Sequence, residues 1–301
     1  MFAFLVGGCV DAEYDLDKID ADDIAIGGDD SRFLMPLASI RIGAEELGAG
    51  GTGIVAICDE IDIWLPTTLP GDADHVDLVR FSDDADYRDS LLDGLIAEMR
   101  DPASAKMSAM VDLLWRTPGY RMRFVDLVPS GEEAQFKRSF EELFRSGEAG
   151  GLLEERLCEL AGDFLGDVAI DPVAYAADLG LGDDVIDMLC ENLDPLGTAD
   201  PVNVLVLYGE VESLLPVAFR LAPVFPGPDV ATAPFEVSPA VAAQLPETLF
   251  FREQVRPLLE SFGVRLSFDP LRYYPGEGLR EGQEIRVRLR LKKLGGLSLN
   301  F

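Results

Sequence analysis

Ile285-Arg286-Val287-Arg288-Leu289-Arg290-Leu291 places an apolar side chain at every second position and an arginine at every other. A period of two is the signature of a strand whose one face is buried, so this segment predicts a strand with a core face and a strongly basic one. Outward from it, Val202 to Tyr208 is almost wholly apolar. Val217, Phe219, Leu221, Pro223 and Phe225 alternate, and Val264 to Phe268 and Leu297 to Phe301 read as further strands. Ser238-Pro239 opens a short helical stretch, and Glu247 to Phe262 is expected to be helical, with Pro257 interrupting it near Gln254 to Arg256.

The N-terminal third repeats the strand character in Phe33 to Ile42, Ile54 to Leu65 and Val76 to Phe81. In the second of these, Ile57, Asp59, Ile61, Ile63 and Leu65 fall on one side of a strand, and Pro66 stops it. From Asp83 the period becomes 3.6. Tyr87, Leu91, Leu92, Leu95, Ile96 and Met99 share a helix face, with Asp101-Pro102 as the cap and first turn of the next helix, which carries Met107, Met110, Val111 and Leu114. Tyr120 to Val128 stays unassigned between strand and helix. Ser130 and Glu133 have capping-box spacing before Phe136, Phe140, Leu143 and Phe144, and Gly147 is expected to end that helix. Helices are also expected over Leu152 to Leu165, Pro172 to Leu179 behind the cap Asp171, and Asp183 to Asn192.

These readings make an α+β fold: N- and C-terminal strands form a β-sandwich-like layer, with a block of short helices inserted between them. The corresponding segments are an N-terminal β segment over 32–82, a helical insertion over 83–195 and a C-terminal β segment with short helices over 196–301. Two independent domains are the alternative, and limited proteolysis releasing a stable fragment from about residue 200 would favour it. A chain of 301 residues with 48% apolar side chains buries enough surface to fold without disulfides or metals.

Fifty-five acidic residues against 25 basic ones give a net charge of −30, which repels phosphate backbones and excludes nucleic acid as an expected partner. No cofactor or metal is expected. Asp20 to Asp30 never completes the spacing of a calcium loop, and the lone histidine, His75, lies among Asp72, Asp74 and Asp77 as a surface loop residue. Gly48-Ala49-Gly50-Gly51-Thr52-Gly53 satisfies G-x-G-x-x-G, but a strand-like segment follows where a dinucleotide site needs a helix, so it reads as a turn. Cys58, Cys158 and Cys190 lack metal-ligand spacing. They read as buried thiols, with Cys158 and Cys190 the one plausible disulfide.

Phe4-Leu5-Val6-Gly7-Gly8-Cys9 has the apolar run and small residues that precede a lipidated cysteine, without the positive n-region or a full-length h-region; the expectation is that residues 1–8 are part of a longer signal peptide. The competing reading is a cytosolic protein whose first residues form an edge strand. Residues 9–31 would then be a lipidated acidic tether, with Cys9 as lipidation site and Asp11 and Glu13 directly behind it. This start, with Tyr14-Asp15-Leu16-Asp17-Lys18-Ile19-Asp20, resembles the mature N-terminus of an uncharacterised family of Bacteroidota outer-membrane lipoproteins. The resemblance extends to Glu281-Gly282-Gln283 through Lys292-Lys293-Leu294-Gly295-Gly296. It implies that Asp11 and Glu13 are the export signal to the outer face and that outer-membrane lipid is a partner through Cys9. It implies no activity.

The functional expectation is therefore a lipid-anchored surface module that binds a glycan or a surface protein and does no chemistry. Arg286, Arg288 and Arg290 form its candidate anionic-ligand face, weighed against plain cross-strand pairing of these arginines with carboxylates. The alternatives are a surface polysaccharide hydrolase using a carboxylate pair and a cytosolic nucleotide-binding enzyme using the glycine loop.

Overall fold

The computed structural model describes residues 34–276 and 282–295. In chain order the elements are β1 (Leu34–Gly43), β2 (Gly48–Ala49), β3 (Thr52–Gly53), α1 (Ile54–Trp64), β4 (Val76–Asp77), α2 (Leu78–Asp83), α3 (Ala85–Arg100), α4 (Lys106–Arg116), α5 (Pro118–Met122), α6 (Glu133–Phe144) and α7 (Gly147–Gly166). They continue with β5 (Ile170–Ala177), α8 (Asp183–Glu191), β6 (Leu205–Ser213), β7 (Val217–Phe225), β8 (Val230–Ala231), β9 (Phe235–Val237), β10 (Ala243–Phe250), α9 (Arg252–Glu260), β11 (Phe262–Tyr273) and β12 (Glu284–Lys293). The fold is α+β with antiparallel sheets. The described residues divide into two compact units, one of residues 34–50, 170–269 and 282–295, the other of 51–169 and 270–276.

In the first unit a four-stranded sheet runs in the order β1-β12-β6-β10, with all three pairings antiparallel. A second sheet contains β11 and β7, with β5 paired to β11 and both β8 and β9 paired to β7. The sheets meet through their apolar faces: Phe225 of β7 lies edge-on to Phe250 of β10, with ring centroids 5.8 Å apart. Alternation carries the arrangement. In β12 Ile285, Val287, Leu289 and Leu291 are all buried, while the arginines between them face away from the second sheet.

The second unit holds α1–α7 and the end of β11, where Arg272 and Tyr273 pair antiparallel with Asp77 and Val76 of β4. In its core Phe140 sits at the centre of an aromatic cluster, edge-on to Phe124, tilted against Phe136 and stacked on Phe144.

Several segments differ from the sequence expectation, each for a visible reason. Ile54–Trp64 is a helix and not the expected strand. Ile57 and Ile61, four apart, share a face at either period, and the buried set Ile54, Ile57, Cys58, Ile61 and Trp64 follows 3.6. Val76 and Asp77 are the whole of a short strand, after which the Asp77 carboxylate accepts from the Arg80 amide and opens α2. Residues 172–179 are not helix: among the described residues β5 pairs only with β11, and Pro172 falls where its register shifts, a site that tolerates a missing N–H. Pro246 likewise lies at a register shift on the edge strand β10, which takes the place of the helical stretches expected around 238–250.

The expected helix from Glu247 shrinks to α9, and it runs continuously through Pro257. Residue 130 makes no capping box, since Glu132 occupies the N-cap of α6. Gly147 opens α7 and Arg145 closes α6. Cys58, Cys158 and Cys190 are free thiols, so the disulfide does not form. Cys9, Asp11, Glu13 and the strand expected over Leu297 to Phe301 lie outside the described residues.

Candidate functional site

Directly paired residues of adjacent strands point to the same side of a sheet. The register therefore assembles the outer face of the four-stranded sheet row by row. One row is Arg41, Arg286 and Glu212; the next is Ser39, Arg288, Glu210 and Gln244. A third is Pro36, Arg290 and Tyr208, and a fourth is Leu34, Lys292, Val206 and Leu249. The three arginines singled out in the sequence thus stand on one surface, joined by Arg41 and Lys292. Sequence reasoning misses Arg41 because its place beside Arg286 depends on long-range pairing.

Most of these cations are answered. Arg288 donates to Glu210 Oε1 at 2.5 Å and lies 3.9 Å from Glu212. The Glu210 hydrogen bond raises the guanidinium's affinity for its proton. Arg286 donates from Nε to Glu284. Lys292 reaches Glu247 at 2.5 Å and holds its Nζ 5.3 Å from the centre of the Tyr208 ring. Among the described residues neither Arg41 nor Arg290 has a carboxylate partner, and both are exposed. Pairs as open as Arg288–Glu210 contribute about 0–1 kcal/mol each, so stability alone does not account for concentrating five cations here.

The strands below are held close. A Cβ on Gly209 of β6 would collide with the Arg288 carbonyl oxygen, so only glycine allows this approach. On the inner side, Lys293 is buried, and its Nζ donates to the Leu294 and Gly295 carbonyls at 3.2 and 3.3 Å.

The polar groups of the second unit serve its packing. Lys106 Nζ donates to the Asp62 and Leu65 carbonyls at 2.9 and 2.7 Å, satisfying the C-terminal end of α1. Burial pulls its pKa down. Glu98 accepts from Thr67 Oγ1 and the Thr68 amide, and Glu60 accepts from Tyr120 Oη at 2.6 Å and Trp64 Nε1 at 3.3 Å. Tyr273 donates to the Cys58 carbonyl. An open depression of about 220 Å³ is lined by Leu78, Val79, Ser82, Leu165, Val168 and Pro270.

His75 is a surface residue whose Nδ1 lies 2.7 Å from Asp74 and whose ring leans on Tyr274. Among the described residues no group of three or more His, Cys, Asp or Glu could hold a metal ion.

The glycine loop turns at Gly50 and Gly51, with φ of +56° and +89°. The Gly50 amide donates to the Asp171 carboxylate at 2.9 Å, and α1 begins directly behind Gly53. A helix here meets one requirement of a dinucleotide site, contrary to the strand expected. The parallel βαβ unit is missing among the described residues, since β2 and β3 at the loop pair only with each other there, and an acid occupies the loop amide.

No protein-family model matches the chain, and no curated protein matches it. A solved structure from Parabacteroides distasonis, provisionally described as a secreted protein, is similar at 18% identity with a TM-score of 0.31. The similarity covers 42% of this chain and 38% of that one. Among the described residues no helix is long and apolar enough to cross a membrane.

Proposed function

We propose that the chain is a lipid-anchored module of the outer membrane, facing the cell exterior through a lipid on Cys9, and that it binds a ligand without transforming it. The observation that carries this reading is the run Phe4 to Cys9, a pattern of acylation, with Asp11 and Glu13 behind the cysteine, which the resemblance to outer-membrane lipoproteins implies are the export signal. A strongly acidic body behind an acidic tether suits that placement, since a charge of −30 keeps it off anionic leaflets. Its outer sheet face, with Arg286, Arg288 and Arg290, is the surface offered for contact.

The test is metabolic labelling with palmitate in the native host, with protease shaving of intact cells. Label on the wild-type protein that disappears in Cys9→Ala, together with cleavage of the body on intact cells, is the expected result. Label that persists in Cys9→Ala, or a body protected until the cells are broken, would sink the proposal.

A further inference from the structure

We infer that the outer face of the β1-β12-β6-β10 sheet binds a carboxylated polysaccharide, a chain of uronic-acid units, through the guanidinium groups of Arg41 and Arg290. The inference deepens the reading of the chain as a binding module and rests on it.

The register sets Arg41 directly opposite Arg286. Like charges facing each other across a ladder are destabilising unless an anion lies between or beside them. Arg286 has Glu284, whereas Arg41 has no carboxylate among the described residues, in a chain where acids outnumber bases 55 to 25. Protection of an open edge would explain a charge on β1, an edge strand among the described residues, and lysine would serve there equally well. It does not explain Arg290. That residue lies on β12, with a strand on either side, exposed and equally without a carboxylate among the described residues.

Charge spacing and surroundings choose the ligand. Four residues along the strand and one strand across, Arg41 and Arg290 stand roughly 14 Å apart at their backbones. The neutralised Arg288–Glu210 pair lies between them. Two separated cations suit a polymer whose charges are separated by sugar rings. A nucleic acid duplex, with one charge per ~1.7 Å, is far denser in charge than two cations about 14 Å apart can answer.

Guanidinium binds carboxylate through two parallel N–H donors, which gives direction as well as attraction. Arg290 is flanked in its own row by Tyr208 and Pro36, apolar surfaces on which a sugar ring can lie. Ser39 and Gln244 offer partners to hydroxyl groups on the same face.

The experiment is isothermal titration of the purified full-length chain with polygalacturonate, with neutral dextran and phosphatidylglycerol vesicles as parallel arms. Because it uses no membrane anchor, it separates ligand binding from lipidation of Cys9. The expected result is saturable binding of polygalacturonate alone, weakened at least tenfold in the double variant Arg41→Gln/Arg290→Gln with an unchanged melting temperature. Arg290→Lys is expected to lose several-fold, because a point charge does not reproduce the fork. Absence of polygalacturonate binding, equal binding of dextran, binding of vesicles instead, or an unaffected double variant would each overturn the inference.

Discussion

Cys58 shows how one residue's chemistry is decided by where it is buried. It sits on the inner face of α1 at 2% exposure, and burial, reinforced by Asp62 and Asp59, pushes its thiol up to about 12. Cys158 is raised to about 11, again mainly by burial, with Asp93, Glu154 and Asp89 adding to it. A thiol held neutral is a poor nucleophile. Cys58 should therefore resist iodoacetamide at pH 8 in the native protein and be alkylated at once in guanidinium, read by peptide mass mapping; rapid alkylation of the native form would contradict its burial. Folding keeps this group protonated, so the stability it contributes is complete below an unfolded thiol value of about 8.5 and fades as pH rises toward 12. Cysteine spacing in the sequence already argues against a metal cluster, but it leaves the Cys158–Cys190 pairing open, because pairing depends on Cα separation and direction.

Elements are legible in the sequence where one period stands alone. β1, β7, β12, α3 and α8 lie close to their expected spans, since their apolar residues fit a single template. α1 escapes because residues four apart satisfy both templates. β5 and β10 escape because Asp171-Pro172 and Pro246 carry helix-start or loop chemistry that an edge strand with a bulge also accepts. At this scale the Phe124–Phe136–Phe140–Phe144 cluster gives the clearest expectation. Phe140 is fully buried, with ring centroids 5.5, 6.0 and 6.3 Å from its three neighbours. Phe140→Ala should lower unfolding stability by about 3–5 kcal/mol, seen as a fall in urea midpoint, because the cavity left among Phe124, Phe136 and Phe144 closes only in part. A loss below about 1 kcal/mol would mean that the cluster is loosely packed.

Over the whole molecule charge dominates. A chain at −30 repels itself, and its ion pairs, such as Arg100–Glu154 and Arg156–Asp126, lie at the surface where each contributes little. Raising salt from about 0.01 M to 0.15 M shortens the screening length from about 30 Å to about 8 Å. The melting temperature should therefore rise by a few degrees at pH 7, read by differential scanning calorimetry. A fall would show that attraction between the paired charges outweighs the general repulsion.

The sequence by itself determined the α+β class and the apolar alternation that builds the four-stranded sheet. It also determined that Arg286, Arg288 and Arg290 share one face. These are properties of composition and of local period, which neighbours along the chain suffice to set. Only the tertiary structure decided that Ile54–Trp64 is a helix, that Pro172 and Pro246 lie in strands, and that Arg41 faces Arg286 while Arg290 stands without a carboxylate among the described residues. Strand register joins residues more than two hundred positions apart, as in the pairing of Arg41 with Arg286. The energy that fixes it is the burial of a whole face at once, which no local window contains.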